Sequence, residues 1–143
     1  MSGGGFQYLD ERDPTRRLAP EECWERLASA PVGRLATAAG GEADIFPVNH
    51  GVSDDTIYFR TAPGSKLLEI LVHAAVAFEV DGYDDLEAWS VVVKGVAGEV
   101  SEPDEVARAE ASGARPWAPE EKDRWVRIRP SEVHGRVFER PFD

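Results

Sequence analysis

The chain has 143 residues, with 27 Asp and Glu against 16 Lys and Arg, a formal net charge of −11. That suits one domain and disfavours a protein that binds nucleic acid or an anionic membrane by neutralising phosphates. The single cysteine, Cys23, excludes an intrachain disulfide and a cysteine-ligated zinc site. No apolar run reaches the ~18 residues of a membrane helix. The first ten residues are Gly-rich and polar, without the apolar stretch of a signal peptide, so the expected location is the cytoplasm. The acidity is local. Residues 79–110 hold ten acidic groups against two basic ones, whereas residues 56–68 hold Arg60 and Lys66 and no acid.

Residues 1–18 read as a flexible tail, opened by Gly3-Gly4-Gly5, and residues 19–143 as one domain. Residues 20–30 form a short helix in this reading. Pro20 suits its first turn, Glu21 and Glu22 complement its dipole, and Cys23, Trp24 and Leu27 share a face. Pro31 ends it. Residues 32–39, 44–52 and 56–61 then alternate as three strands, separated by Gly40-Gly41 and by Ser53-Asp54-Asp55, both of hairpin chemistry. Pro47 removes an N–H donor from the second strand, which places it at an edge, a bulge or a ligand. Residues 65–73 read as a helix capped by Ser65, residues 74–80 and 88–100 as strands, and residues 101–111 as a helix with Ser101 as cap and Pro103 in its first turn. Residues 112–119, with Gly113, Pro116 and Pro119, read as a loop. Residues 125–129 and 133–138 read as closing strands on either side of Pro130. Six or seven strands, two or three short helices and hairpin separators favour a mainly β, closed or partly closed antiparallel barrel.

Few residues look chemically specialised. His50, His73 and His134 have no metal-ligand spacing, and Cys23 has no nearby histidine and reads as a buried, inert thiol. The acids Asp81, Asp84, Asp85 and Glu87 fit no calcium loop and read as a solvated turn. The strongest local pattern is Tyr58-Phe59-Arg60-Thr61-Ala62-Pro63-Gly64-Ser65-Lys66. A strand ends in Arg and Thr, a Pro-Gly turn follows, and a helix opens on Ser and Lys. Free helix amides, hydroxyls and cations together suit a phosphate. An ordinary capped helix start explains the same residues equally well. Four tryptophans, Trp24, Trp89, Trp117 and Trp125, lie in four different elements, and Trp117 stands between Pro116 and Pro119.

Several segments in succession resemble one family. They are Val32-Gly33-Arg34-Leu35-Ala36-Thr37, Phe46-Pro47-Val48-Asn49, Tyr58-Phe59-Arg60-Thr61, Gly64-Ser65-Lys66, Phe78-Glu79-Val80-Asp81 and Trp89-Ser90-Val91-Val92-Val93-Lys94-Gly95. Between about residues 20 and 136 the chain is similar to the pyridoxamine 5′-phosphate oxidase-like, FMN-binding split-barrel family, and most to its nitroimidazole-resistance-type branch. The resemblance implies a split β-barrel of Greek-key type and a homodimer with flavin at the subunit interface. It implies that Phe46, Pro47, Val48 and Asn49 line the flavin ring and ribityl chain, and that Arg60 and Thr61 lie by the ribityl phosphate. It further implies that Ser65 and Lys66 hold the phosphate, that Trp89 and Ser90 reach the flavin from the second subunit, and that Trp117 flanks the ring. Val133-His134-Gly135-Arg136 stands where pyridoxal phosphate-forming oxidases carry a substrate-binding motif, so that activity is not expected. The expected function is an FMN-dependent oxidoreductase acting on a small aromatic or nitro-aromatic substrate. The alternatives are an F420-dependent reductase, or a non-catalytic flavin or haem module with His50 as an axial ligand.

Overall fold

The computed structural model describes residues 15–63, 74–115 and 124–140. Two tight turns begin the sheet. β2 (Val32–Ala39) and β3 (Glu42–Ser53) are joined at Gly40-Gly41, both with positive φ. β3 and β4 (Thr56–Thr61) are joined at Asp54-Asp55, with φ of 53° and 51°. Paired positive-φ residues twist a hairpin in the sense its strands require, and aspartate is among the few non-glycine residues that tolerate the geometry. β5 (Ala75–Tyr83) pairs with β2, and β6 (Glu87–Val100) pairs with β5. β7 (Arg124–Glu139) then pairs with both β4 and β6. The order β7-β4-β3-β2-β5-β6 thus returns to β7, and six antiparallel strands close a barrel.

β7 is one strand where the sequence suggests two. It runs through Pro130 because the β6–β7 ladder slips there: Lys94 pairs with Glu132 and Gly95 with Pro130, so Ser131 is the extra residue of a bulge. A proline costs no ladder bond at such a site. Ser131 Oγ donates to the Lys94 carbonyl at 3.1 Å and holds the bulge shut. Gly95 is needed opposite it, because a Cβ there would run into the Arg129 carbonyl.

The part of the expected 1–18 tail that is described is not a tail. Thr15–Arg17 form β1, which pairs with Arg136 to Phe138 of β7, and Leu18 is buried against the core. The free edge of β7 attracts it, since an unpaired strand edge offers a row of amide and carbonyl groups. Residues 1–14 lie outside the described residues.

Alternation sets the barrel interior: Leu35, Phe59, Phe78, Val91, Val93 and Ile128 are fully buried. Each contributes roughly 1.5–3 kcal/mol by burial. Helix α1 (Pro20–Ser29) plugs one end with Cys23 and Leu27. Its first turn is closed by Glu22, whose side chain accepts the Ala19 amide at 2.9 Å, a bond that holds the Glu22 carboxyl below the usual range. Burial pushes the Cys23 thiol up, consistent with an inert core cysteine.

Helix α2 (Pro103–Ala111) starts at Glu102 rather than at a Ser101 cap, and no side chain caps it. It covers the outer face of the barrel, where Tyr58, Val100, Ala109 and Trp125 form a second small core. Glu105, although charged, is buried there because it is fully used: Tyr58 Oη donates to it at 3.1 Å and Arg127 Nη1 at 2.9 Å. The helix expected over residues 65–73 and the loop at 116–119 lie outside the described residues.

Candidate functional site

The β3–β4 ladder begins only at His50↔Phe59. Residues 42–49 of β3 pair with β2 alone among the described residues. The barrel wall is therefore split between the first half of β3 and the end of β4, and Phe46-Pro47-Val48-Asn49 run along that split. Pro47 occupies an edge, which answers why a strand tolerates it. Directly paired residues share a face, so Phe46 follows Leu35 and Val48 follows Gly33 towards the interior, while Pro47 and Asn49 face outwards. Val48 packs on the core, and Asn49 Nδ2 donates to the Pro31 carbonyl at 3.4 Å.

Across the split stand Arg60 and Thr61. Thr61 is buried and shares the interior face with Ile57 and Phe59. Arg60 faces outwards beside its cross-strand partner Trp125, with the guanidinium carbon 5.3 Å from the centre of the indole. Arg60 Nε is buried and has no hydrogen-bond partner, and among the described residues no carboxylate pairs with Arg60. An unanswered, buried guanidinium nitrogen is costly unless an acceptor meets it. It lies four residues before Gly64-Ser65-Lys66. Those residues, like Trp117, lie outside the described residues. The described group that fits an anion such as a phosphate is the strand-end Arg60 guanidinium, with its unpartnered Nε and no carboxylate; Thr61 lies next to it in sequence but on the interior face of β4.

Trp89 and Ser90 do not join this group within one chain. They lie on β6, three steps around the ring from β3 and two, through β7, from β4. Along the strands the gap is wider: Val100 of β6 lies level with Trp125 and Arg60, and Trp89 is eleven residues further along, roughly 36 Å at ~3.3 Å per residue. Trp89 packs across Gly82 and under the Arg26 guanidinium of α1 (4.9 Å), and with Ser90 it opens on a groove of about 590 Å³ shared with Tyr83, Phe138 and Arg140.

His50 is not presented to an axial ligand position. It is 5% exposed, its Nε2 lies 2.7 Å from the Leu27 carbonyl, and its ring stands edge-on to Phe78 at 4.9 Å. That contact makes Nε2 the donor, leaving Nδ1 buried without a partner. Burial lowers its pKa, so the ring is neutral. His134 is exposed beside Glu132, and among the described residues no cluster of metal-ligating side chains occurs. The acids read as a solvated turn divide by role. Asp84 caps the β5–β6 turn by accepting the Leu86 and Glu87 amides, both at 2.8 Å. Asp81 lies within β5, where Arg34 bridges it and Glu79. Burial first, then Asp81, holds the Glu79 carboxyl above the usual range. The hydrogen bond from Glu79, then Arg34, holds Asp81 below it. The residue that sequence reasoning missed is Trp125. The only hint was an aromatic in a strand able to lie beside Arg60.

The closed ring of six antiparallel strands, with the first half of β3 unpaired to β4, defines the class of split β-barrel proteins. The chain belongs to the pyridoxamine 5′-phosphate oxidase family, whose pattern matches residues 19–137. It is similar to a solved Corynebacterium glutamicum protein named for pyridoxamine 5′-phosphate oxidase, with 41% identity, 94% of this chain and 99% of that one covered, and a TM-score of 0.83. It is also similar to a structure described as the FAD-binding protein of Mycobacterium smegmatis (37% identity, 88% and 100% covered, TM-score 0.79). A Bacteroides thetaiotaomicron protein named for 5-nitroimidazole antibiotic resistance shares the fold at 15% identity (87% and 88% covered, TM-score 0.72). No described helix is long and apolar enough to cross a membrane.

Proposed function

We propose that the protein is a flavin-dependent oxidoreductase of the cytoplasm that works as a homodimer on a small aromatic or nitro-aromatic substrate. A flavin nucleotide is anchored through the phosphate next to its ribityl chain, a group common to FMN and FAD. The observation that carries this reading is Arg60: its Nε is buried without a partner at the mouth of the split, in a stretch free of acids. Thr61, Ser65 and Lys66 complete the phosphate set, and Phe46 to Asn49 supply a strand edge for the ring and ribityl chain. The M. smegmatis relative described as FAD-binding supports a flavin. The bound flavin would supply hydride transfer, while the chain's own residues bind the phosphate and orient the ring.

Dimer formation is supported by the separation of Trp89 and Ser90 from the phosphate end, which a second copy would close. It is supported also by Ile45 (66% exposed) and Val96 (50%), which stand out beside the small outer-face residues Ala36 and Ala77. The test is reconstitution with FMN, FAD, riboflavin and F420, followed by flavin fluorescence and light scattering. Phosphorylated flavin should bind a particle of twice the chain's mass. Arg60→Met and Lys66→Ala should each weaken FMN against riboflavin, Arg60→Met by roughly 10- to 100-fold, as for a lost charge-assisted bond. Absence of binding by any of the four, or equal weakening of FMN and riboflavin, would refute the assignment.

A further inference from the structure

The outer face of β4 and β7 carries two successive cross-strand pairs, Tyr58↔Arg127 and Arg60↔Trp125. The first pair is locked through Glu105 to α2. In the second, Trp125 is 6% exposed, wedged among Tyr58, Val100 and Ala109. A tryptophan so confined has one available ring position. Its π face attracts a guanidinium and offers no acceptor for the guanidinium's hydrogens in the ring plane. A carboxylate in its place would neutralise Arg60 and take the hydrogens an anion needs. The indole holds the cation while leaving its Nε–H without a partner.

From this geometry we infer that Trp125 is a positioning residue that, backed by α2, holds the Arg60 guanidinium ready for the cofactor phosphate and so sets the preference for phosphorylated over unphosphorylated flavin. The inference rests on the flavin-anchoring reading above. Trp125 touches no cofactor itself. It acts through Arg60, and α2 acts through Trp125.

The experiment combines Trp125→Leu, Trp125→Phe and Arg60→Met with two readouts. In the first, FMN and riboflavin are titrated against each folded protein. Trp125→Leu is expected to weaken FMN roughly 3- to 30-fold, the range of a desolvated cation–π contact, and to leave riboflavin within about twofold. Trp125→Phe should restore most of the loss, and Trp125→Leu added to Arg60→Met should cost nothing more. Equal loss of both ligands, or a loss that persists without Arg60, would overturn the inference and leave the flavin reading standing. The second readout needs no flavin. In the apo protein the Arg60 Nε–Hε proton should be shifted upfield by the indole ring current. It should return to an ordinary position in Trp125→Leu and move when inorganic phosphate is added to the wild type. If the wild type binds no flavin, the flavin reading fails. An Arg60 resonance that ignores both phosphate and the loss of Trp125 then refutes the positioning role on its own terms.

Discussion

Replacing His50 by Gln tests how the α1 plug is held and removes an acid sensitivity of known sign. In the folded chain the imidazole is buried, donates through Nε2 to the Leu27 carbonyl, and has a pKa lowered by loss of water. The unfolded chain titrates near the ordinary value of about 6.5. Above that pH neither state binds the proton and His50 adds no pH dependence. As pH falls through 6.5 the unfolded state takes up a proton that the folded state refuses. Stability is therefore lost, by at most about 1.4 kcal/mol per pH unit for this one site, and the loss levels off only below the depressed folded pKa. Gln can still donate to Leu27 but does not titrate, and it gives up the edge contact with Phe78 at a cost of about 1 kcal/mol. Urea unfolding of both proteins from pH 8 to 4.5 gives a difference curve free of the carboxylates common to both. Wild type should be the more stable at pH 8, and its advantage should shrink below pH 6.5. A difference that stays constant across the range, or grows on acidification, would refute the placement of a neutral His50 under α1.

Three other substitutions examine separate parts of the fold. Gly95→Ala sets a methyl against the Arg129 carbonyl at the β7 bulge, so a loss of about 2 kcal/mol or more in chemical denaturation is expected, and a neutral result would mean the bulge is not built this way. Tyr58→Phe removes a hydrogen bond to the buried Glu105 carboxylate and should cost about 1.5–3 kcal/mol in wild type but little in a Glu105→Met background, where no acceptor remains, as read by a double-mutant cycle of thermal unfolding. Arg34→Ala removes the cation that lowers the Glu79 pKa, so carbon-detected NMR titration should find the Glu79 carboxyl titrating still higher, with global stability altered by less than about 1 kcal/mol. A fall in that pKa would contradict the Arg34–Glu79–Asp81 arrangement.

Local chemistry made much of the fold legible. Gly40-Gly41 and Asp54-Asp55 announced the two hairpins because positive φ is a property of those residues themselves. Pro20 and the glutamates announced α1 for a similar reason. What stayed hidden depends on partners distant in sequence. Pro130 looked like a strand end because its tolerance comes from Lys94 and Gly95 on β6, over 30 residues away. Thr15–Arg17 looked like tail because their strand exists only on the free edge of β7. Glu105, one of ten acids between residues 79 and 110, is buried only because Tyr58 and Arg127 reach it. The site divides in the same way. Arg60 stood out from its strand-turn context, whereas Trp125 meets it through a register between β4 and β7 that no local pattern encodes. The sequence order of Asn49 and Trp89 likewise says nothing of the two strands that stand between them.

The return of the sheet to β7 also bears on how the chain comes into being. β7 supplies the pairing edge for β4, for the whole length of β6 and for β1. Until residues 124–139 have left the ribosome, β4 and β6 each expose an unsatisfied edge, and the interior of the barrel has no third wall. The long sequence separations of these pairings make closure a late and slow event, and the open intermediate carries strand edges able to pair with other nascent chains. Closure of the barrel thus turns on a single strand. A pause before residue 124 would leave a sticky half-ring, while completion of β7 seals both edges at once.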